Sequence, residues 1–130
     1  MLLVDANVIL RLLLRDDVEM AERAKKVICE QKVTLRHEVA AEIVYVLQKI
    51  YGLPREEISK ALTRFISLEN VETEHVDVLL EAFSVFAKRN LDFVDCLLYA
   101  FNFVKGYSVF SFDKKLNALL SGSRRIGEED

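Results

Sequence analysis

The sequence predicts an α/β fold in which a parallel sheet is covered on both faces by helices. Three observations carry this. Short apolar runs alternate with longer stretches of helical periodicity. The connection between successive runs always has room for a helix or a helix pair, as parallel strands require. The first run, "MLLVD", is apolar without interruption up to Asp5, which suits a strand buried on both sides.

Taken in order, residues 1–5 form the first strand. Asn7 is the expected cap of a helix over 8–15, and a second helix covers 19–30. "KVTLRHE" is a short strand running into a helix start. Val39, Ile43, Val46, Leu47 and Ile50 recur at helical spacing, and Gly52-Leu53-Pro54 ends that helix. "REEISKALTRFISL" is an amphipathic helix, and "NVETEH" holds a short strand. Two further helices are "VDVLLEAFSVFAKRN" and "DFVDCLLYAFNFVKG". "YSVFSFD" reads as a fourth strand and "KKLNALL" as a short last helix. The helix pair 57–68 and 76–86 carries a wide apolar surface, expected to be a dimer face or a groove for a partner.

The chain of 130 residues is 52% apolar, enough for one core, with one proline and four glycines. Residues 1–120 are expected to be a single domain. The tail 121–130, "SGSRRIGEED", has no convincing apolar strand and is expected to be disordered or a weak edge strand. A net charge of -3 excludes general attraction to nucleic acid. Two cysteines make no disulfide framework. The apolar start is broken by Asp5 and Arg11 and lacks the pattern of a signal peptide, and no run reaches the roughly 18 residues of a membrane helix. The expectation is a cytoplasmic protein with no membrane association.

Four carboxylates fall where core should be. Asp5 ends the first strand and Asp113 follows the fourth, where sites form in parallel sheets. Each can instead cap the next helix, although Asn7 is better placed than Asp5 for that. Glu42 lies three residues after Val39 and four before Val46, on the apolar stripe, and a buried carboxylate needs a partner or a cation. Asp95 flanks a face marked by Val94, Leu97, Leu98 and Phe101, while Asp92, one turn earlier, is the expected N-cap. One hypothesis covers all four: Asp5, Glu42, Asp95 and Asp113 converge on a divalent cation. Oxygen donors without a Cys/His pairing point to Mg2+ or Mn2+. Such a site activates water and neutralises a phosphate under in-line attack.

"LLVDANVIL", "EVAAEIVYVL", "DFVDCLLYA" and "VFSFDKKL" together resemble a PIN domain, nearest to the VapC-like toxins of toxin–antitoxin pairs. The resemblance runs from Leu2 to about Leu120. It implies a three-layer α/β/α sandwich around a parallel sheet of four or five strands, and a metal-dependent endoribonuclease. Asp5 and Asp95 would be the main ligands of a Mg2+ or Mn2+ ion. Glu42 and Asp113 would bind through water, place a second ion or orient the nucleophile. Asn7 matches a small polar position after the first acid. Ser111 matches the Thr or Ser two residues before the last acid, where its hydroxyl orients a carboxylate or a bound water. Arg11, Arg15 and Arg36, with Arg124 and Arg125 behind them, would contact RNA phosphates. The implied partners are RNA, a cognate antitoxin and a second copy of the chain in a homodimer. His37 and His75 are expected at the surface or at caps.

Three rivals stand against this. A haloacid dehalogenase-like phosphatase needs a second Asp at the position of Asn7. A receiver-like magnesium-binding module wants paired acids near the N-terminus and leaves Glu42 unexplained. An inactive PIN scaffold for protein interaction has no need to keep all four acids.

Overall fold

The computed structural model describes residues 1–129, with side chains through residue 122. Three parallel strands, β1 (Leu2–Leu3), β2 (Val33–Thr34) and β3 (Val71–Glu72), lie in the order β1-β2-β3. Leu2 and Leu3 pair with Val33 and Thr34, which pair in turn with Val71 and Glu72. Among the described residues seven α-helices surround them: α1 (Ala6–Leu14), α2 (Val18–Glu30), α3 (His37–Tyr45), α4 (Arg55–Ile66), α5 (Val76–Lys88), α6 (Phe93–Lys105) and α7 (Lys114–Glu129). The architecture is the expected α/β sandwich. α1 packs on α2 and α3, α3 reaches α6, α5 lies between α4 and α6, and α7 closes on α6.

The core gathers the stripe of each helix around the centre strand, both of whose residues are buried. Ile9, Ile28, Val33, Leu35, Ile43, Leu47, Ile58, Leu62, Leu79, Phe83, Phe86 and Leu116 are fully enclosed. The apolar surface expected on the helix pair α4–α5 belongs to this core. Ile58, Leu62, Phe65, Ile66, Val78, Leu79, Ala82, Phe83 and Phe86 are all buried there. Two polar ties fix the pair. The Ser59 hydroxyl donates to the Phe83 carbonyl at 2.8 Å. The Arg55 guanidinium donates to the carbonyls of Phe86, Arg89 and Leu91 at 3.1, 2.7 and 2.8 Å and lies 4.3 Å from the Phe86 ring centroid.

Two expectations about the ends of the chain are corrected. The fourth strand does not form: among the described residues the sheet has three strands, and 107–112 crosses the surface unpaired. Two of its carbonyls are taken by side chains instead. The Asn102 amide donates to the Tyr107 carbonyl and the Asn117 amide to that of Ser111, at 2.9 and 2.8 Å. Amides that cap these carbonyls compete directly with a strand ladder. Phe110 and Phe112 are consequently 85% and 90% exposed. Helix α7, predicted to stop near Leu120, runs on to Glu129, so 121–129 is helix rather than a disordered tail or an edge strand, and Asp130 lies outside the described residues. The helix predicted to end at Gly52 divides into α3 and a π-helical turn, Val46–Ile50.

Candidate active site

Two of the four predicted acids meet. Asp95 and Asp113 line one open pocket of ≈ 470 Å³ together with Asp92, Asn90, Leu91, Phe112, Lys114 and Lys115. Asp95 is placed by α6, whose buried stripe is Phe93, Cys96, Tyr99 and Ala100. This corrects the face read from the sequence, because Val94 and Leu98 point outward. Phe93 sets the rotation by stacking on Phe83 at 5.4 Å and meeting Phe86 edge-on. Asp95 is left half-buried at the margin. Burial, then the charges of Asp113 and Asp92, push its carboxyl above the ordinary aspartate range.

Asp113 is held by the turn that starts α7. Its carboxylate accepts the Leu116 N–H at 2.8 Å, so it caps the helix as well as lining the pocket. Its own N–H donates to the Ser111 hydroxyl at 2.9 Å. Ser111 therefore acts on Asp113 through the backbone, where the sequence assigned it to a carboxylate or a water. Asp92 is the N-cap residue of α6, as predicted, and also faces the pocket, which the sequence reading missed.

The other two acids do not line that pocket. Asp5 is the N-cap of α1: its carboxylate accepts the Val8 N–H at 3.1 Å. It takes the place expected of Asn7, which sits exposed in the first turn. Asp5, Asn7 and Arg11 line a separate cleft of ≈ 580 Å³ beside β1, with Leu2, Val8 and Met20. Glu42 is exposed, because α3 buries Ala40, Ile43 and Val44 while Val39 and Val46 are only its half-buried edges. Among the described residues, no three Asp, Glu, His or Cys side chains gather closely enough to hold a metal ion. The four-acid convergence expected from the sequence is thus not formed. Asp5→Ala is expected to cost about 1 kcal/mol of stability and Asp5→Asn almost nothing, since Asn caps as well as Asp. Urea melts of the two variants check this.

The arginines nominated for phosphate are engaged elsewhere. Arg11 donates to both Asp16 oxygens at 2.8 and 3.0 Å, and its protonated form is strengthened first by a hydrogen bond to Tyr51 and then by Asp16. Arg15 pairs with Glu22 at 2.8 Å, and Arg36 with Glu38 and Glu74 at 3.3 and 3.7 Å. The side chains of Arg124 and Arg125 lie outside the described residues. The cations at the acid pocket are Lys114 and Lys115. A sequence signal for them exists: two lysines in the first turn of a helix stand against its dipole and need another reason to be there. The His37 Nε2–H donates to the Glu74 carbonyl, and His75 occupies the N-cap position of α5, both rings against Phe101.

The donor set at Asp95, Asp113 and Asp92 suits a hard divalent ion in kind. It is all oxygen, and a bound cation would offset the burial, and then the repulsion from Asp113 and Asp92, that raise the Asp95 carboxyl. No helix among the described residues is long and apolar enough to cross a membrane. No curated protein and no solved structure matches the chain significantly. Residues 2–119 match the PIN domain family, nearly the whole span on which the acids and the sandwich lie. The chain therefore belongs to the PIN domain family, whose members are in general magnesium-dependent nucleases.

Proposed function

We propose that this PIN domain is an endoribonuclease and the toxin of a toxin–antitoxin pair. The observation that carries the reading is the pocket that sets Asp92, Asp95 and Asp113 against Lys114 and Lys115. Asp95 and Asp113 would hold Mg2+ or Mn2+, which when bound supplies an activated water and neutralises phosphate charge. Lys114 and Lys115 draw in the phosphodiester and oppose the charge that builds on its oxygens during in-line displacement. Asp92 accepts the proton of the attacking water. Ser111 keeps Asp113 in place through its backbone N–H.

The test is incubation of the purified protein with RNA in Mg2+, in Mn2+ and in chelator, alongside melting curves in the same buffers. Cleavage in metal alone, with a higher melting temperature in metal, is expected. Intact RNA in all three overturns the reading. One observation favours a second reading, a PIN scaffold that binds without cutting: Asp5 serves as a cap and Glu42 is turned outward. Intact RNA together with an unshifted melting temperature would select it.

The toxin role rests on the motif resemblance. Expression in a bacterial host is expected to arrest growth, and a cognate antitoxin to relieve the arrest. A homodimer is supported by Val94 and Leu98, one turn apart and exposed on α6. Light scattering at about 20 µM is expected to return twice the chain mass, and a monomer alone would reject the dimer.

A further inference from the structure

A second cleft adjoins the acid pocket. It measures ≈ 590 Å³ and is lined by Arg89, Asn90, Leu91, Tyr99, Lys115 and Leu119, among others. Asn90, Leu91 and Lys115 line both spaces, so the two meet along that short segment. The cleft has two chemical sides. Leu91 and Tyr99 are buried and Leu119 is half-buried, which makes an apolar wall. Arg89 and Lys115 are exposed and stand in no ion pair among the described residues. The Lys115 ammonium only reaches the Asn90 carbonyl, at 3.4 Å.

A wall of flat and branched apolar groups beside two cations without an ion pair among the described residues suits a ligand that is itself flat at one end and anionic at the other. A nucleotide is such a ligand. The volume falls in the range of roughly 300–1,000 Å³ typical of small-ligand pockets. A base laid on an aromatic side chain gains from stacking whatever its identity, and its phosphate gains from Arg or Lys with no need of sequence. Lys115, common to both spaces, is where one phosphate can be passed from the cleft to the acids.

We propose that this cleft holds the nucleotide next to the scissile phosphate of an RNA strand. Its phosphate lies on Arg89 and Lys115 and its base against Leu91, Tyr99 and Leu119. The inference rests on the nuclease reading of the acid pocket. It adds a subsite, two binding residues and a requirement: a base seated in the cleft cannot be paired, so the strand is single there.

Arg89→Ala is the test, because Arg55 holds only the backbone carbonyl of Arg89 and that bond survives the substitution. Steady-state cleavage is measured in Mn2+ on a single-stranded RNA oligonucleotide and on bis(p-nitrophenyl) phosphate, which has a diester and no neighbouring nucleotide. Arg89→Ala is expected to raise KM on RNA about tenfold with kcat within twofold, to leave the small diester unchanged, and to be largely rescued by Arg89→Lys. An abasic ribose beside the cut is expected to raise the wild-type KM on RNA by a similar factor. An unchanged KM for Arg89→Ala on RNA that the wild type cuts overturns the cleft and spares the nuclease. Equal losses on both substrates would mean that the acid pocket itself was disturbed, and also overturn the cleft. Failure of the wild type on both substrates removes the nuclease reading and the cleft with it.

Discussion

Asp95→Asn is expected to abolish metal-dependent RNA cleavage and, in chelator, to raise the melting temperature. Both effects come from one side chain. As a ligand, Asp95 should matter more than an outer-shell partner, whose loss typically costs roughly 10–100-fold. As a charge, it is half-buried and repelled by Asp113 and Asp92, so its carboxyl titrates above the ordinary range. A folded-state value above the unfolded one means that the ionised form is the costly one. That cost is present in full above the folded value and vanishes as the pH falls below the unfolded one. Two like charges near a protein surface cost up to ~4 kcal/mol, of which screening leaves about 1 kcal/mol to recover. For a domain of this size that is roughly 3–6 °C. Calorimetry in chelator at pH 7.5 should therefore show the variant melting higher, and at pH 3 the difference should be gone. A variant that cuts RNA at the wild-type rate, or melts lower at pH 7.5, would remove Asp95 from the site.

The largest loss of stability is expected from Arg55→Ala. One guanidinium nitrogen closes the C-terminal end of α5 and the loop behind it through three carbonyls, those of Phe86, Arg89 and Leu91. Truncation leaves them short of a donor in a partly buried place and removes the packing over Phe86. Hydrogen bonds to a charged group are worth about 1.5–3 kcal/mol, and three that share one donor group do not add in full. A total near ~3 kcal/mol is expected, with a melting temperature lower by roughly 10–15 °C. Lysine should restore only part of this, since it lacks the planar fork. The loop held by Arg55 carries Asn90 and Leu91 and leads into Asp92, so cleavage should fall too, at temperatures where the variant is still folded. Urea unfolding measures the first effect, and a change under ~0.5 kcal/mol would contradict it.

These two residues mark what could and could not be read from the sequence. The alternation of strands and helices was legible, because apolar periodicity is a local property of the chain. The place of Asp95 beside a buried helix face was legible for the same reason, although that face runs through Phe93, Cys96, Tyr99 and Ala100 rather than Val94 and Leu98. Arg55 was not, because nothing local says that a first-turn arginine will reach a loop more than thirty residues away. Glu42 misled because 100° per residue places it near Val39 and Val46, while the packed stripe runs through Ala40, Ile43, Val44 and Leu47. The cap was read two residues late: Asn7 was expected to cap α1, but the helix begins at Ala6 and Asp5 takes that place. The run 107–112 has the composition of a strand, but composition cannot tell that Asn102 and Asn117 occupy its carbonyls.

The acid pocket and its neighbouring cleft draw their lining from residues 89–122 alone, while all three strands lie before residue 73. During synthesis the sheet can therefore assemble well before the groups that would cut RNA exist. At about 5–20 residues per second, the 88 residues ahead of Arg89 take roughly 4–18 s to make. Throughout that interval the growing chain lacks the lining of both spaces while attached to a particle made largely of RNA. The order of elements along the chain thus acts as a clock that delays the proposed nuclease until the segment 89–122 has been made.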